Sequence, residues 1–386
     1  MTQLTRKRLI LAKIESSYNT DPTPAGVNAI LVRADNLTPT PLESDYVPRN
    51  VLRAYLGGSD QLPAAVYSKI EFEVELAGAG TAGNAAPYGV LLRMCGFAET
   101  LNASAVSGTA QTGSTTTTLK LAAGASASDD VYSGLSVSTT SGTGTGQTRQ
   151  IIDYVGSSKI ATLSAPWTVT PDNTTAYSVN PGATYSPVST AFESGTIYFN
   201  NDGVLHKMTG CRGTVSMMLK TKDIPTLKFT FTGLYTPATD TSLVTPDYSG
   251  FQKPLAVNNG NTPLFSLLGY TARLSELSVD LGASIQYRNL VGVEEVDLTD
   301  RDVTGKAKIE ATSVASKDWW TATRNVTTGT LALTHGLTDG NKVFIGAGRV
   351  QVMKPTYSDE QSVQMLEMDL TIQPIIGNDE LYLCIA

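Results

Sequence analysis

The chain has 386 residues, 41% hydrophobic and 16% charged, enough to bury a sizeable core in two or three domains, which excludes a disordered chain. Its formal net charge of −7, from 28 Lys and Arg against 35 Asp and Glu, argues against a surface that grips phosphate, because such binding works through basic side chains displacing condensed counterions. Cys95, Cys211 and Cys384 are odd in number and widely spaced with no C-x-x-C, so they support neither a disulfide framework nor a zinc site and are expected as buried thiols in a reducing compartment.

The opening MTQLTRKRLILAKIESS holds only a short apolar run before Lys13 and Glu15, and no segment approaches the ~20 apolar residues of a membrane span. No membrane partner and synthesis in the cytosol are expected. Solubility rests on Thr, Ser, Asn and Gly, residues of turns and solvent-facing strand positions, so the expected class is mainly β. From Leu9 to about Leu101 comes a first β-rich part. It contains a long proline-rich loop, Arg33 to Pro48, which is long for a compact domain and therefore functional or disordered. The strand Lys69 to Leu76 (KIEFEVEL) alternates without a break, with Ile70, Phe72, Val74 and Leu76 on one face and Lys69, Glu71, Glu73 and Glu75 on the other. A short helix is predicted over Pro87–Phe97.

Thr115 to Val179 reads as a small all-β module. Leu119/Leu121, Leu135/Val137 and Ile160/Thr162 alternate with small polar residues, and Gly, Ser, Asp and Pro turn signals separate the runs. Gly142–Gly146 (GTGTG) is expected as a hairpin tip; a dinucleotide loop would need a strand before it and a helix after it, whereas QTRQIIDY reads as a strand. The pattern GLSVSTTSGTGTGQTRQIIDY followed by APWTVTPDNTTAYSV resembles a module of tailed-bacteriophage structural proteins. The first part resumes with Gly195 to Tyr235, where Leu227, Phe229 and Phe231 alternate with Lys228, Thr230 and Thr232; these strands are expected to pair back onto the earlier ones. Thr236 to Pro263 is crowded with Pro, Gly, Asn and Thr and marks a linker. Beyond it, Leu277/Val279/Leu281 and Leu366/Met368/Leu370/Ile372 are again period-2 faces, and Lys317–Arg324 (KDWWTATR) is a helix that Asp318 is placed to cap.

Gly195–Pro237 lines up with Gly329–Pro374: strand, Asp-Gly turn, GCRG or GAGR, strand, loop, amphipathic strand, Pro. Each is preceded by a charged alternating strand and a short helix. The identity is low, but the shared order of elements points to duplication.

No active site emerges. His206 and His335 have no Cys or carboxylate at ligand spacing beside them, so neither a metal site nor a catalytic triad is supported. The acidic run Glu294, Glu295, Asp297, Asp300 and Asp302 suits a solvated face or an ion-pair surface for a neighbouring subunit better than a cation. Of Trp319 and Trp320, one is expected in the core and one at a rim. No cofactor is implied.

The ordered set AKIESSYNTDPTPAG, PYGVLLRMCGFAE, YFNNDGVLHKMTGCRG with FTFTGLY, LTDRDVTGKAKIEA and GNDEL resembles the tail tube (major tail) proteins of long-tailed bacteriophages over nearly the whole chain. That resemblance implies a non-enzymatic virion protein built of two β-sheets flanked by a helix, whose rings stack into the tube that conducts DNA without specific binding, assembled in the host cytoplasm with tape measure, tail terminator and distal tail proteins. The expected domains are a discontinuous first tail-tube-like β-sandwich or barrel (1–111 and 181–237), an inserted surface β domain (112–180), a linker (238–262) and a second tail-tube-like domain (263–386). Two copies per chain imply a homotrimeric, pseudo-hexameric ring, with a hexamer as the alternative. Glu71, Glu73, Glu75, Glu367 and Asp369 are candidates for a carboxylate-lined lumen, and Asn36, Leu37, Pro39, Pro41, Leu42 and Tyr46 for a ring-stacking loop. The competing reading is a decoration or adhesin-like protein that binds the host surface.

Overall fold

The computed structural model describes residues 3–386 and is mainly β with two short α-helices. Strand β1 (Arg8–Ile14) has Leu9 to Ala12 buried. The next feature corrects the expected loop at Arg33–Pro48. After a single turn at Ala34–Asn36, residues Thr38–Pro48 form strand β2, paired along its length with β3 (Gln61–Glu75). The prolines that suggested a loop are tolerated because β2 is an edge strand, where a proline nitrogen turned outward costs no ladder bond. The two strands form a long arm whose tip, residues 49–60, is exposed. At the arm's base β3 alternates as expected: Ile70, Phe72, Val74 and Leu76 are buried.

Helix α1 (Gly89–Met94) occupies the centre of the predicted segment, buries Leu91, Leu92 and Met94, and lacks a side-chain cap. Gly96, at φ +82°, turns the chain out of it into β4 (Phe97–Asn102).

Residues 106–179 build a separate six-stranded antiparallel sheet from β5 (Val106–Thr109), β6 (Thr118–Lys120), β7 (Ser136–Ser141), β8 (Thr148–Val155), β9 (Ile160–Leu163) and β10 (Ala176–Val179), in the order β5-β10-β7-β8-β9-β6. Gly142–Gly146 is the tip between β7 and β8, as expected. Leu119, Leu121, Leu135 and Val137 are buried, and in β9 the alternation holds with Ala161 and Leu163 as the buried residues. Ala161 stands opposite Leu119 of β6, and that register sets which face turns inward. The core of this sheet does not stop at its own strands; it runs on to Phe344, Cys384 and Ala386.

The chain returns through β11 (Gly182–Pro187), β12 (Gly195–Asn201), β13 (Val204–Lys220) and β14 (Thr226–Tyr235). As expected, β14 pairs back onto β3 in unbroken register from Thr226↔Glu75 to Leu234↔Tyr67. Beyond the irregular segment 241–263 come β15 (Leu264–Leu267), β16 (Leu274–Asp280), β17 (Ala283–Leu290), β18 (Val293–Arg301), β19 (Thr304–Glu310), α2 (Trp319–Arg324), β20 (Thr328–His335), β21 (Val343–Glu360), β22 (Val363–Ile372) and β23 (Tyr382–Ile385). The Asp318 side chain accepts a hydrogen bond from the Thr321 amide at 2.9 Å and caps α2. Trp319 is buried and Trp320 is partly exposed, dividing core from rim. His335 is buried between Thr262 and the Leu255 carbonyl.

The two halves repeat one pairing pattern. β1, β12 and β13 are matched by β15, β20 and β21; β2, β3, β14 and β13 are matched by β16, β19, β22 and β21. Both β13 and β21 are irregular opposite Gly195–Ile197 and Gly329–Leu331, where their pairing passes from β12 to β14 and from β20 to β22, and β21 has a further bulge between Met353 and Thr356. Rows across the sheets set the alignment: Thr40, Lys69, Thr232 and Arg212 lie in one row, and Asp280, Thr304, Thr371 and Gln351 in its counterpart. Arg212 therefore corresponds to Gln351, whereas GCRG set against GAGR position by position places it at Gly348. β13 also pairs with β16, so the halves join edge to edge.

Candidate functional site: a charged sheet face and two arms

The joined strands form one antiparallel sheet in the order β2-β3-β14-β13-β16-β19-β22-β21, barrel-like but open. One face is core: Phe72, Phe229, Phe231, Met217, Leu277, Ile309, Met368 and Leu370 are all buried. The other is polar because strand period 2 turns every intervening residue outward. Glu71, Glu73 and Glu75 on β3 and Glu367 and Asp369 on β22 all belong to this polar face, so the structure brings the five sequence candidates onto a single surface.

That surface is not a bare acidic wall. Lys220, Glu276, Lys308 and Glu367 lie in one cross-strand row of alternating sign. Lys228 Nζ is 2.8 Å from Glu71, Lys308 Nζ is 3.3 Å from Glu360 and 3.4 Å from Glu367, and Lys354 Nζ is 3.5 Å from Asp369. Burial works to lower the pKa of Lys308, but the hydrogen bonds it donates to Glu360 and Glu367 outweigh this and raise it. The pKa of Glu367 is lowered, the nearby Ser358 and Lys308 side chains working against burial. Exposed pairs of this kind contribute little to stability, because solvent screens them. Their larger effect is on the field: signs that alternate at roughly 5 Å spacing along the row weaken the net potential beyond a Debye length.

Two arms rise from this sheet. The stacking candidates divide between the turn before β2 (Asn36, Leu37) and β2 itself (Pro39, Pro41, Leu42, Tyr46). At the tip of this arm Leu52 and Leu56 are fully exposed, with Val51 and Tyr55 beside them. The second arm, β17–β18, went unread in the sequence; Ile285 to Val293 around Gly292, which takes φ +96° at its turn, is the hairpin signal that marks it. Leu290, Val291 and Val293 are exposed at its tip.

The arms touch, the Tyr67 and Tyr287 rings stacking at 4.6 Å. The acidic run supplies ion pairs within the chain. Arg288 bonds Glu295 and Asp297, and Arg212 Nη1 donates to the Val296 carbonyl at 2.7 Å and to Asp297 at 3.2 Å. The Arg212 guanidinium lies over the Tyr18 ring, whose hydroxyl accepts from the Val296 amide and whose pKa is pushed up to about 12, mainly by burial. Arg301 ties the arm's base to Glu380 and Asn378.

Among the described residues no three His, Cys, Asp or Glu side chains converge as a metal site, and no helix is long and apolar enough to cross a membrane. The three cysteines are free and buried, and burial raises each thiol's pKa.

Comparison with curated proteins gives no match. The family model for phage tail tube proteins matches residues 5–374. A repeated β scaffold with an open polar sheet face is thus that of a structural virion protein: the chain belongs to the phage tail tube protein family.

Proposed function

We propose that three copies of the chain close into a ring whose inner wall is the polar face of the β2-to-β21 sheet, and that stacked rings form the hollow tail tube through which phage DNA is ejected. One observation carries this reading: the sheet is continuous through both halves, buried on one face, charge-interleaved on the other, and open only at β2 and β21. Open edges present unpaired amides and carbonyls, and ring closure removes them. At ordinary strand spacing and tilt, three such sheets make a barrel of about 24 strands and about 45 Å between opposite backbones, room for a DNA duplex. The paired carboxylates and lysines give DNA a wall without a grip.

The arm tips, with Leu52, Leu56 and Val291 exposed, reach the adjacent ring. The 106–179 sheet faces outward, three copies per ring, and the tape measure, tail terminator and distal tail proteins are the partners inside and at the tube ends. Cryo-electron microscopy of tubes grown from purified protein tests the reading. Three chains per ring with pseudo-sixfold symmetry are expected; six full-length chains per ring overturn the stoichiometry, and isolated oligomers that bind host cells without forming tubes favour a decoration protein.

A further inference from the structure

The joint between the two halves is a template for the contact between chains. Within the chain, Ser216, Met217, Met218, Leu219 and Lys220 of β13 stand opposite Asp280, Val279, Ser278, Leu277 and Glu276 of β16. The row alignment makes Thr356–Glu360 of β21 the counterpart of Ser216–Lys220, and Asn36–Thr40 the counterpart of Glu276–Asp280. These two counterpart segments are the open edges of the sheet. The geometry points to a seam in which β21 of one copy meets the 36–40 segment of a second copy in the register Thr356↔Thr40, Tyr357↔Pro39, Ser358↔Thr38, Asp359↔Leu37, Glu360↔Asn36. The inference rests on the three-chain ring proposed above and adds its register.

Two further observations fit a second copy at this edge. Tyr357 and Trp320 form an exposed aromatic pair, 5.2 Å between centroids and 52% and 38% exposed, at the position where Met217 is covered by β16. Pro39 and the half-buried Leu37 of the second copy would cover them. Glu73, opposite Lys228, offers its carbonyl to the Arg33 amide, so Glu71 and its partner Thr38 also point their backbones at each other and Pro39 faces away from β3. Pro39 has no amide to donate there, and Pro355 lies in the bulge of β21. The seam therefore carries fewer backbone bonds than the internal joint, which restrains a free chain from pairing its edges indiscriminately.

The test is cysteine cross-linking in tubes of the full chain. Thr38→Cys with Ser358→Cys occupies a non-hydrogen-bonded pair, whose Cα separation of about 4.5 Å suits a disulfide; Met218→Cys with Ser278→Cys is the internal control. Under mild oxidation the first variant should run as covalent dimer and trimer on a non-reducing gel and the control as monomer. Thr40→Cys with Ser358→Cys, a diagonal pair about 8 Å apart, should not link. Tubes with three chains per ring but no disulfide between positions 38 and 358, or with linkage only in the diagonal pair, overturn the register while leaving the ring intact. A ladder ending at six chains retains the register and overturns the three-chain ring; failure of the wild-type chain to form tubes overturns both.

Discussion

The two halves of the chain share a fold but not a neighbourhood, and their equivalent strands show what a neighbour does to sequence. In β13, Met217 and Leu219 lie under β16 and are buried. At the same rows of β21 stand Tyr357, half exposed, and Asp359, exposed. The backbone pairing is alike, so the difference lies in what covers the strand. An apolar side chain is kept where a strand within the same chain removes it from water, and an amphipathic or charged one is used where the edge stays wet until another molecule arrives.

Exchanging the two characters gives the largest effect. Leu219→Asp places an unpaired carboxylate at a fully buried site and should cost about 4 kcal/mol or more in chemical denaturation, whereas Asp359→Leu in the free chain should stay within about 0.5 kcal/mol. Equal costs would erase the distinction between joint and edge.

The braces separate the halves next. Arg212 ties the β17–β18 arm to β13, while its counterpart Gln351 makes one long contact, with Gln373. Arg212→Ala should cost about 2 kcal/mol and speed amide exchange across 293–301; Gln351→Ala should change stability by about 0.5 kcal/mol or less. An arm equally protected in both variants would show that Arg212 is no brace.

A smaller effect is set by pH. Burial acts to raise the pKa of Asp21, but hydrogen bonds from the Tyr198 hydroxyl and Lys207, at 2.6 and 3.0 Å, prevail and lower it. A carboxylate with a depressed folded pKa contributes stability that is present above its unfolded pKa, near about 4, and lost as pH falls through the folded value. Asp21→Asn should therefore lower stability at about pH 7 and flatten its decline below about pH 4; an unchanged acid limb would assign that decline to other groups.

Smallest is the cap. Asp318 caps α2, whereas α1 has no side-chain cap and is held by buried Leu91, Leu92 and Met94. Asp318→Ala should lower the melting temperature slightly and speed exchange of the Thr321 amide, while Leu92→Ala should cost about 2–5 kcal/mol. The reverse order would mean that the helices are held in the same way.

Much of this was legible locally. KIEFEVEL announces its two faces by period 2, KDWWTATR its helix and cap, and GTGTG its turn, because each depends on neighbours a few residues away. The stretch Thr38–Pro48 was misread because proline reports the cost of a missing donor, and whether a donor is needed depends on which side the partner strand lies. At Ile160–Leu163 the sequence shows the alternation but not the inner face, which the pairing of Ala161 with Leu119 selects.

The five carboxylates were correctly placed on polar strand faces, but their lysine partners Lys228, Lys308 and Lys354 come from other strands, so their pairing was beyond one-dimensional reading. The separate sheet of residues 106–179 was visible as a break in the pattern. Its shared core with Phe344 and Cys384 was not, because those residues lie far along the chain from its last strand.

The sequence by itself determined the β class, the helices and the family, since periodicity, caps and ordered motifs are local or additive properties. Only the tertiary structure decided that the halves join through β13 and β16, that both arms converge at Tyr67 and Tyr287, and that β2 and β21 remain the open edges. Strand pairing joins residues far apart in the chain, and among many near-equivalent amphipathic strands its order is settled by closing the whole core at once.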